Sequence, residues 1–346
     1  MGTRKVEVYQ KAQISFCILS VHFMPTNLAA TKKPLCLVIG AGFLGSHLIE
    51  RLVHEKFPVR VLATRKRRAS TPPNKNVEWI EGSSSDPNIL QVCIHDAQYL
   101  FHFAGSTLPV MSNLDPAADV HINLENSLRI LLAAAQGGVR KVIFPSSGGT
   151  VYGIPKQVPL SEDHPTDPIC SYGIGKLTLE KYLAVLERKY GMQYAVLRYS
   201  NPFGPGQDPF RNFGAVSTFL GRIARRKPIE IWGNGETVRD FLFIEDAIEA
   251  TWRAMQYGGN VRIFNIGRGS GTSLNDLVRQ MEKTTGIKPR ILYRESRPSD
   301  VPTNVLDISR ARRELGWTPT VPLGESISRT WLWVEAACAQ AQPDAA

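Results

Sequence analysis

A short glycine-rich segment constrains the fold of this chain more than any other feature. Residues 40–45 read Gly-Ala-Gly-Phe-Leu-Gly and fit the pattern GxGxxG. They follow the continuous apolar run Leu35–Ile39, and apolar residues then recur at helical spacing from Leu44 to Val53. A continuous apolar run is typical of a strand buried on both faces, whereas the spaced pattern indicates an amphipathic helix. The sequence therefore predicts a strand, a tight turn and a helix in direct succession.

The three glycines of this turn predict a dinucleotide-binding loop. Gly40 permits the tight turn, Gly42 lets the backbone approach a pyrophosphate, and Gly45 lets the helix pack closely on the strand. The amides and the dipole of the helix N-terminus favour phosphate groups. We predict that Phe43 and Leu44 contact the cofactor together with these glycines.

Strand and helix patterns alternate along the chain after this loop. Strands are predicted at 35–39, 59–62, 77–80, 99–103, 142–144 and 195–197, and helices at 44–53, 122–135 and 177–189. Such alternation indicates parallel βαβ units. The predicted fold class is therefore α/β, with a Rossmann-type doubly wound parallel sheet over 34–200. Loops rich in proline and glycine follow, and they predict a smaller C-terminal substrate-binding lobe, mainly 201–335.

Both ends of the chain are expected to lie outside the folded part. Residues 14–24 are apolar after a basic start and loosely imitate a signal peptide, but serines and a histidine interrupt the run. We interpret residues 1–33 as a disordered or mis-assigned extension, with Met24 as the alternative start. Residues 336–346 are interpreted as a tail.

Charge and cysteine usage narrow the class of protein. The net charge is +10, yet the basic residues are scattered and accompany no nucleic-acid motif. The charge thus favours a phosphate-bearing substrate, and no nucleic-acid partner is expected. There is no apolar stretch of about 20 residues, so no membrane partner is expected either. The five cysteines lack paired spacing, which predicts reduced thiols in the cytoplasm and no metal site.

The end of the second predicted strand bears on which dinucleotide binds. An acid usually stands there and binds the adenosine ribose, but this chain has Thr64 and Arg65, followed by three more basic residues. Arg65 is a candidate ligand of a 2′-phosphate, which would favour NADP. A solvated basic loop explains the same residues equally well, so the choice between NAD and NADP stays open on local grounds.

Tyr172 and Lys176 are the residues most suggestive of chemistry. They are four residues apart, which places them on one side of a helix, one turn from each other. A free tyrosine has a pKa of about 10 and is a poor base at neutral pH. A lysine ammonium beside it, together with an oxidised nicotinamide, would lower that pKa and make the phenolate a usable base. We predict that both residues are catalytic and that both contact the cofactor.

Taken together, these motifs resemble the extended short-chain dehydrogenase/reductase family, in its NAD-dependent epimerase/dehydratase branch. The resemblance covers about residues 34–335. Besides the glycine loop and the Tyr172/Lys176 pair, it is carried in order by 102–105, Asn123, 146–153, 198–202, 233–235, 238–241, Asp246, 265–267, 297–300 and 315–317. The ordered set is far more specific than any single motif.

The resemblance implies a set of ligand contacts and a biological setting. Further cofactor contacts would be Phe103, Ala104, Gly105 and Asn123, and the diphosphate of a nucleotide sugar would be held by Asn201, Arg239, Arg297 and Asp300, with Trp232 near the base. Forked arginine donors suit phosphate oxygens, which agrees with this assignment. Family habit favours NAD as cofactor, a homodimer formed through a helix pair, and a role in polysaccharide biosynthesis. Asp246 is interpreted as structural, tying the loop of Arg239.

One departure from the family pattern concerns the third catalytic group. Relatives place a Ser or Thr where this chain has Gly148. Ser147, Thr150 or a water molecule must then supply the hydroxyl that binds the sugar. Asn304 lies where hexose epimerases restrict the bulk of the sugar, and its moderate size leaves N-acetylated sugars open.

The same segment bears on the reaction. Dehydratases of this branch carry an Asp-Glu pair directly after the Thr, whereas this chain has Gly149 and Thr150 instead. Because elimination of water needs an acid and a base, we predict a nucleotide-sugar 4-epimerase with recycled NAD(P), acting on a UDP-hexose. The alternatives are an NADPH-dependent 4-ketoreductase, or an epimerase, of a dTDP-6-deoxyhexose, and a non-enzymatic dinucleotide-binding regulator.

Overall fold

Strands and helices alternate along the described chain. A computed structural model describes residues 33–64, 74–105, 109–211, 213–296 and 301–340. The strands are β1 (Leu35–Ile39), β2 (Val59–Ala63), β3 (Val77–Glu81), β4 (Ala97–His102), β5 (Lys141–Ser147), β6 (Gln193–Tyr199), β7 (Asn201–Phe203), β8 (Ile229–Trp232), β9 (Val238–Arg239), β10 (Phe241–Phe243), β11 (Ile263–Ile266), β12 (Thr272–Ser273), β13 (Ile291–Arg294) and β14 (Thr303–Asn304). The helices are α1 (Phe43–His54), α2 (Pro87–Ile94), α3 (Pro109–Leu114), α4 (Pro116–Asp119), α5 (Asn126–Gln136), α6 (Ser171–Tyr190), α7 (Ala215–Ala224), α8 (Ile244–Gln256), α9 (Leu274–Thr285), α10 (Ser309–Leu315) and α11 (Leu323–Gln340), with a π-helical turn (Val120–Glu125) before α5.

Seven strands form one large sheet. Their spatial order is β11-β6-β5-β4-β1-β2-β3, and every neighbouring pair is parallel. The order of the strands reverses between β1 and β4, where a doubly wound sheet opens a crevice for ligands at the carboxyl ends of its strands. The predicted α/β class with a Rossmann-type sheet is confirmed.

Strand β1 shows why its sequence is continuously apolar. Cys36 and Val38 pack into one hydrophobic cluster, whereas Leu37 and Ile39 pack into a second. Successive side chains of a strand point to opposite faces, and helices cover both faces of this sheet. The strand at the centre of the sheet is therefore buried on both sides.

Among the described residues after residue 200, the strands build three smaller sheets. β7 pairs with β10, β9 pairs with β12 and β14, and β8 pairs with β13. β11 is different, because it returns to the edge of the large sheet beside β6. The domain boundary near residue 200 stays a prediction, and the expected extension lies outside the described residues except for Lys33.

Helix α6 is longer than the sequence pattern indicated. It begins at Ser171 rather than near Leu177 and ends at Tyr190, where Gly191 adopts a left-handed conformation with φ of 73°. Two glycines weaken the helical pattern in its first turns. One of them is required, because a Cβ atom on Gly173 would lie 2.8 Å from the carbonyl oxygen of Thr150.

The described residues bear on the expectations about cysteines, metal sites and membrane-spanning helices. Cys36, Cys93, Cys170 and Cys338 are free and buried. Within the described ranges no group of side chains is arranged to hold a metal ion. No helix in this part of the chain is long and apolar enough to cross a bilayer.

Candidate active site

The loop after β1 packs directly against the loop after β4. Gly40 has a φ of 100°, and a Cβ atom on it would lie 2.6 Å from the Ala104 amide nitrogen. The amide of Phe103 donates to the carbonyl of Ile39 at 2.8 Å. The two predicted cofactor segments, 40–45 and 103–105, are therefore brought together at the switch point of the sheet.

The remaining glycines of the loop differ in their surroundings. A Cβ atom on Gly45 would overlap the carbonyl oxygen of Gly40, whereas a Cβ atom on Gly42 would meet no atom of the described residues within 4 Å. Gly42 also stands at the N-cap of α1, where it offers no side chain to the first amides. Open space beside uncapped helix amides fits the pyrophosphate of a dinucleotide. Phe43 and Leu44, the first residues of α1, are half-buried.

Asn123 lies in the π-helical turn and is linked to the start of α6. Its Nδ2 atom donates to Oδ1 of Asp119 at 2.7 Å, and the Ser171 hydroxyl donates to Oδ2 of Asp119 at 2.9 Å. Short π-helical segments often occur at functional sites. The turn thus joins a predicted cofactor residue to the helix of the predicted catalytic pair.

Tyr172 and Lys176 occupy the first two turns of α6. The Tyr172 amide donates to the Ser112 hydroxyl at 3.0 Å. The Lys176 ammonium donates to the carbonyl of Pro145 in β5 at 2.8 Å. It lies 5.6 Å from the centre of the Tyr172 ring and 4.8 Å from that of Phe144. The expected arrangement on one side of the helix is present.

Burial dominates the ionisation of this pair. It raises the pKa of Tyr172 to about 12, and Cys170 and Asp119 act in the same direction. Burial also lowers the pKa of Lys176 to about 8, with Glu180 opposing. Among the protein's own groups, the lysine does not offset the burial of the phenol. The positive charge of an oxidised nicotinamide is therefore an essential part of the expected activation.

The loop after β5 explains the departure at Gly148. A Cβ atom there would lie 2.6 Å from Cδ1 of Leu306 and 3.0 Å from the carbonyl oxygen of Arg198. Leu306 is fully buried, so it would have to shift within the core to make room for a serine or threonine. The Thr150 hydroxyl is buried and has no hydrogen-bond partner among the described residues, whereas Ser147 is half-buried at the end of β5.

Asn304 lies against the same loop. It is 2% exposed, and its Nδ2 atom donates to the carbonyl of Gly148 at 3.1 Å. Its Oδ1 atom has no partner within the described part of the chain. The side chain predicted to restrict the sugar is thus held beside the segment that carries the candidate hydroxyls.

The substrate residues predicted from the resemblance are described only in part. Asn201 begins β7, and its Nδ2 atom donates to the carbonyl of Asp240 at 3.0 Å. The neighbouring Arg239 donates to the carbonyl of Val301 at 2.7 Å and pairs with Asn304 across β9 and β14. These residues are therefore brought together.

Of the other predicted ligands, Trp232 lies within the described residues and three lie outside them. Trp232 ends β8 and is 40% exposed. Arg65, Arg297 and Asp300 lie outside the described residues, so their roles stay predictions.

Asp246 is structural, but it does not tie the loop of Arg239. Its carboxylate accepts from the amide and the hydroxyl of Thr320 and from the amide of Val321. It lies in the first turn of α8 and fixes the segment before α11. Asp240 is the carboxylate beside Arg239, and it accepts from the amides of Arg268 and Leu306.

Two buried ionisable residues next to the pair have no role in the sequence-based predictions, although His102 belongs to the motif 102–105. His102, at the end of β4, is 1% exposed, and its ring nitrogens have no partner among the described residues. Burial and Lys176 lower its pKa to about 3. Glu180 is 2% exposed and bonded to Arg198. The spacing of Glu180, four residues after Lys176, was the signal that could have identified it.

The model of the NAD dependent epimerase/dehydratase family matches residues 36–267. This range includes the glycine loop and the four catalytic candidates. The chain belongs to this family. The match confirms the predicted membership of the extended short-chain dehydrogenase/reductases, NAD as the cofactor, and an enzyme of the epimerase type.

Similar proteins align with 85–88% of this chain. The UDP-glucose 4-epimerase of Mycolicibacterium smegmatis is 33% identical over 301 residues, which cover 85% of this chain and 96% of the relative. The dTDP-4-dehydro-6-deoxyglucose reductase of Escherichia coli is 32% identical over 307 residues, covering 87% and 97%. The crystal structure of the Thermotoga maritima UDP-glucose 4-epimerase with UDP-glucose has a TM-score of 0.83 and 36% identity, covering 88% and 99%.

Proposed function

We propose that this enzyme is a nucleotide-sugar 4-epimerase that acts on a UDP-hexose with a tightly bound, recycled NAD. The observation that carries the proposal is the half-buried Tyr172/Lys176 pair at the start of α6, together with the glycine loop at the switch point of the sheet. The epimerases of M. smegmatis and T. maritima, to which the chain is similar, support UDP-hexose as the substrate class.

Three side chains have a role in the proposed mechanism: one transfers a proton, one stabilises the resulting phenolate, and one binds the sugar hydroxyl. The chemistry that NAD supplies when bound is reversible hydride transfer at C4. Tyr172 accepts the proton of the 4-hydroxyl as C4 is oxidised and returns it on reduction. The Lys176 ammonium stabilises the Tyr172 phenolate, and the buried Thr150 hydroxyl binds the sugar hydroxyl in place of the residue missing at Gly148.

The nucleotide would be held by the C-terminal elements. Asn201 and Arg239 are fixed beside one another through Asp240 and the β9–β14 pair. We propose that they bind the diphosphate together with Arg297 and Asp300, and that Trp232 packs near the base. Guanidinium groups suit this task because they offer two parallel donors to phosphate oxygens.

A 4-ketoreductase of a dTDP-6-deoxyhexose is the second candidate. It is favoured by the similarity to the E. coli dTDP-4-dehydro-6-deoxyglucose reductase. An epimerase recycles its cofactor, whereas a reductase consumes one reduced nicotinamide for each product. The absorbance of NADPH, followed with a 4-keto sugar nucleotide, separates the two. Sustained loss of that absorbance supports the reductase, whereas a change limited to the bound cofactor supports the epimerase.

We also propose a homodimer formed through α5 and α6. Ile174, Tyr182 and Val185 form an apolar stripe along α6 and are 53%, 40% and 52% exposed, and Leu132 of the neighbouring α5 is 38% exposed. Exposed apolar faces of this kind mark protein interfaces. Sedimentation equilibrium of the purified chain tests this, since a mass of one protomer would contradict it.

A further inference from the structure

Helix α6 carries three ionisable side chains in one column. Tyr172, Lys176 and Glu180 are spaced by four residues, so each lies one turn from the next on the same side of the helix. The mechanism proposed above uses the first two and gives Glu180 no role. Glu180 is nevertheless 2% exposed, and a carboxylate is buried this completely only when other groups hold its charge.

The Glu180 carboxylate is held by Arg198 of β6 and Ser146 of β5. The Nε atom of Arg198 donates to Oε1 at 3.1 Å, and its Nη2 atom donates to Oε2 at 2.6 Å. The Ser146 hydroxyl donates to Oε1 at 2.5 Å. The third Arg198 nitrogen, Nη1, donates to the Tyr152 hydroxyl at 3.0 Å. These charge-assisted bonds fix an anion in one position between α6 and the sheet.

The ionisable groups around Lys176 and its tyrosine come from several elements. They are Tyr172 and Glu180 on α6, His102 on β4, Arg198 on β6, and, on the side of Tyr172, Cys170 before α6 and Asp119 before the π-helical turn. His102 is neutral, because burial and Lys176 lower its pKa to about 3. Burial lowers the pKa of Lys176 to about 8, and Glu180 acts against that change. Glu180 is therefore the anion that supports the lysine.

We infer that Glu180 is a positioning residue for the redox centre: fixed by Arg198 and Ser146, it keeps Lys176 in its ammonium form while Tyr172 exchanges a proton with the sugar. The inference rests on the proposed function for the last of these steps. The charge relation between Glu180 and Lys176 belongs to the folded protein itself, so it can be measured separately from turnover.

If the Glu180–Arg198 ion pair only joined α6 to the sheet, the function of residue 180 would not require a negative charge. Well-packed apolar residues often replace a buried ion pair without loss of stability. Such a replacement would restore the packing between α6 and β6 but would remove the anion beside Lys176. A structural role and a charge role therefore differ in what an uncharged pair does to the ionisation of Lys176.

The test follows the ionisation of the Lys176 amine in NAD-loaded protein. The NMR signal of lysine labelled with 13C at Cε is titrated in each variant, and the Lys176 signal is assigned by its loss in Lys176→Met. The variants are Glu180→Gln and the apolar pair Glu180→Leu/Arg198→Met. Ser146→Ala is the matched control, because it removes a hydrogen bond to the same carboxylate and changes no charge.

The inference predicts a ranked set of midpoints. Without the anion, and with Arg198 left uncompensated, Lys176 loses its proton at lower pH in Glu180→Gln than in wild type. The apolar pair titrates between Glu180→Gln and wild type, since it leaves no uncompensated arginine, and Ser146→Ala titrates like wild type. If Glu180→Gln does not fold, the apolar pair decides alone. A wild-type midpoint in a folded variant without the anion overturns the inference.

The titration also separates this inference from the proposed function. A protein that epimerises no sugar nucleotide, yet shows the ranked midpoints, refutes the function and retains the charge relation. A protein that epimerises UDP-hexoses, but whose variants keep the wild-type midpoint, supports the function and refutes the charge relation. In an active enzyme, the alkaline limb of the profile of kcat against pH also moves to lower pH in Glu180→Gln.

Discussion

Leu306 approaches Gly148 so closely that its Cδ1 atom lies 2.6 Å from the place that a Cβ atom would take. Leu306 is fully buried with Val151, Tyr152 and Leu160, and it cannot retreat without disturbing that cluster. The contact accounts for the glycine at a position where a hydroxyl side chain is expected.

Gly148→Ser should therefore destabilise the fold through Leu306. Overpacking of this kind costs about 1–3 kcal/mol in the free energy of unfolding, which urea denaturation measures. Leu306→Ala alone should cost about 2–5 kcal/mol, because it leaves a cavity. Adding Gly148→Ser to Leu306→Ala should then cost much less than in wild type. Strictly additive losses would show that Leu306 is not the obstacle.

Thr150→Val should lower turnover more than Ser147→Ala. Valine keeps the shape of threonine but lacks the hydroxyl, which is buried and without a partner among the described residues. Loss of one hydrogen bond to the reacting sugar corresponds to about a tenfold drop in kcat/KM or more. Steady-state kinetics of the two variants measures the difference. A larger loss in Ser147→Ala would assign the role to Ser147 instead.

Gly42→Ala and Gly45→Ala should fail for different reasons. A methyl group on Gly42 meets no atom within 4 Å in the part of the chain that the structure describes, so stability should stay within about 0.5 kcal/mol while NAD binding weakens. A methyl group on Gly45 overlaps Gly40, so this variant should be destabilised even without NAD. Thermal unfolding with and without NAD distinguishes the two. Equal loss of stability in both variants would contradict the proposed division of roles.

The glycine loop and the fold class were predictable because their signals are local. The apolar run of β1, the GxGxxG turn and the spacing of Tyr172 and Lys176 each lie within a few residues. The return of β11 to the large sheet was not predictable, since it depends on pairing with β6 across more than sixty residues.

The polar contacts around the site could not be predicted from the sequence either. The partner of Asp246 proved to be the segment around Thr320, and nothing in either segment specifies that contact. The absence of a side chain at Gly148 was visible, but its cause, Leu306, lies far away in the chain. The column of Tyr172, Lys176 and Glu180 follows from their spacing of four residues along α6. The role of Glu180 depends on Arg198, which only the fold brings near it.

The activity should fall on the alkaline side as Lys176 loses its proton. Its pKa is lowered to about 8 from 10.5, so the ammonium is present below pH 8 and is lost as the pH rises. kcat should therefore decline above about pH 8. The same shift has the opposite effect on stability: between pH 8 and 10.5 the unfolded state holds the proton more tightly, so the folded state gains stability as the pH rises.

Lys176→Met is the reference for both profiles. The difference in unfolding free energy between wild type and this variant should change in favour of wild type as the pH rises from 8 to 10.5. Urea denaturation across that range measures it. A difference that is independent of pH would mean that the pKa of Lys176 is not lowered in the folded protein.

The central claim is tested most directly by incubating the NAD-loaded enzyme with a single UDP-hexose and separating the products by chromatography. The account predicts a mixture of the two C4 epimers, formed without added cofactor and without net loss or gain of reduced nicotinamide. Tyr172→Phe should keep NAD and form no product, because it lacks the hydroxyl that carries the proton. Undiminished turnover in Tyr172→Phe, or wild-type enzyme that leaves every UDP-hexose unchanged, would contradict the account.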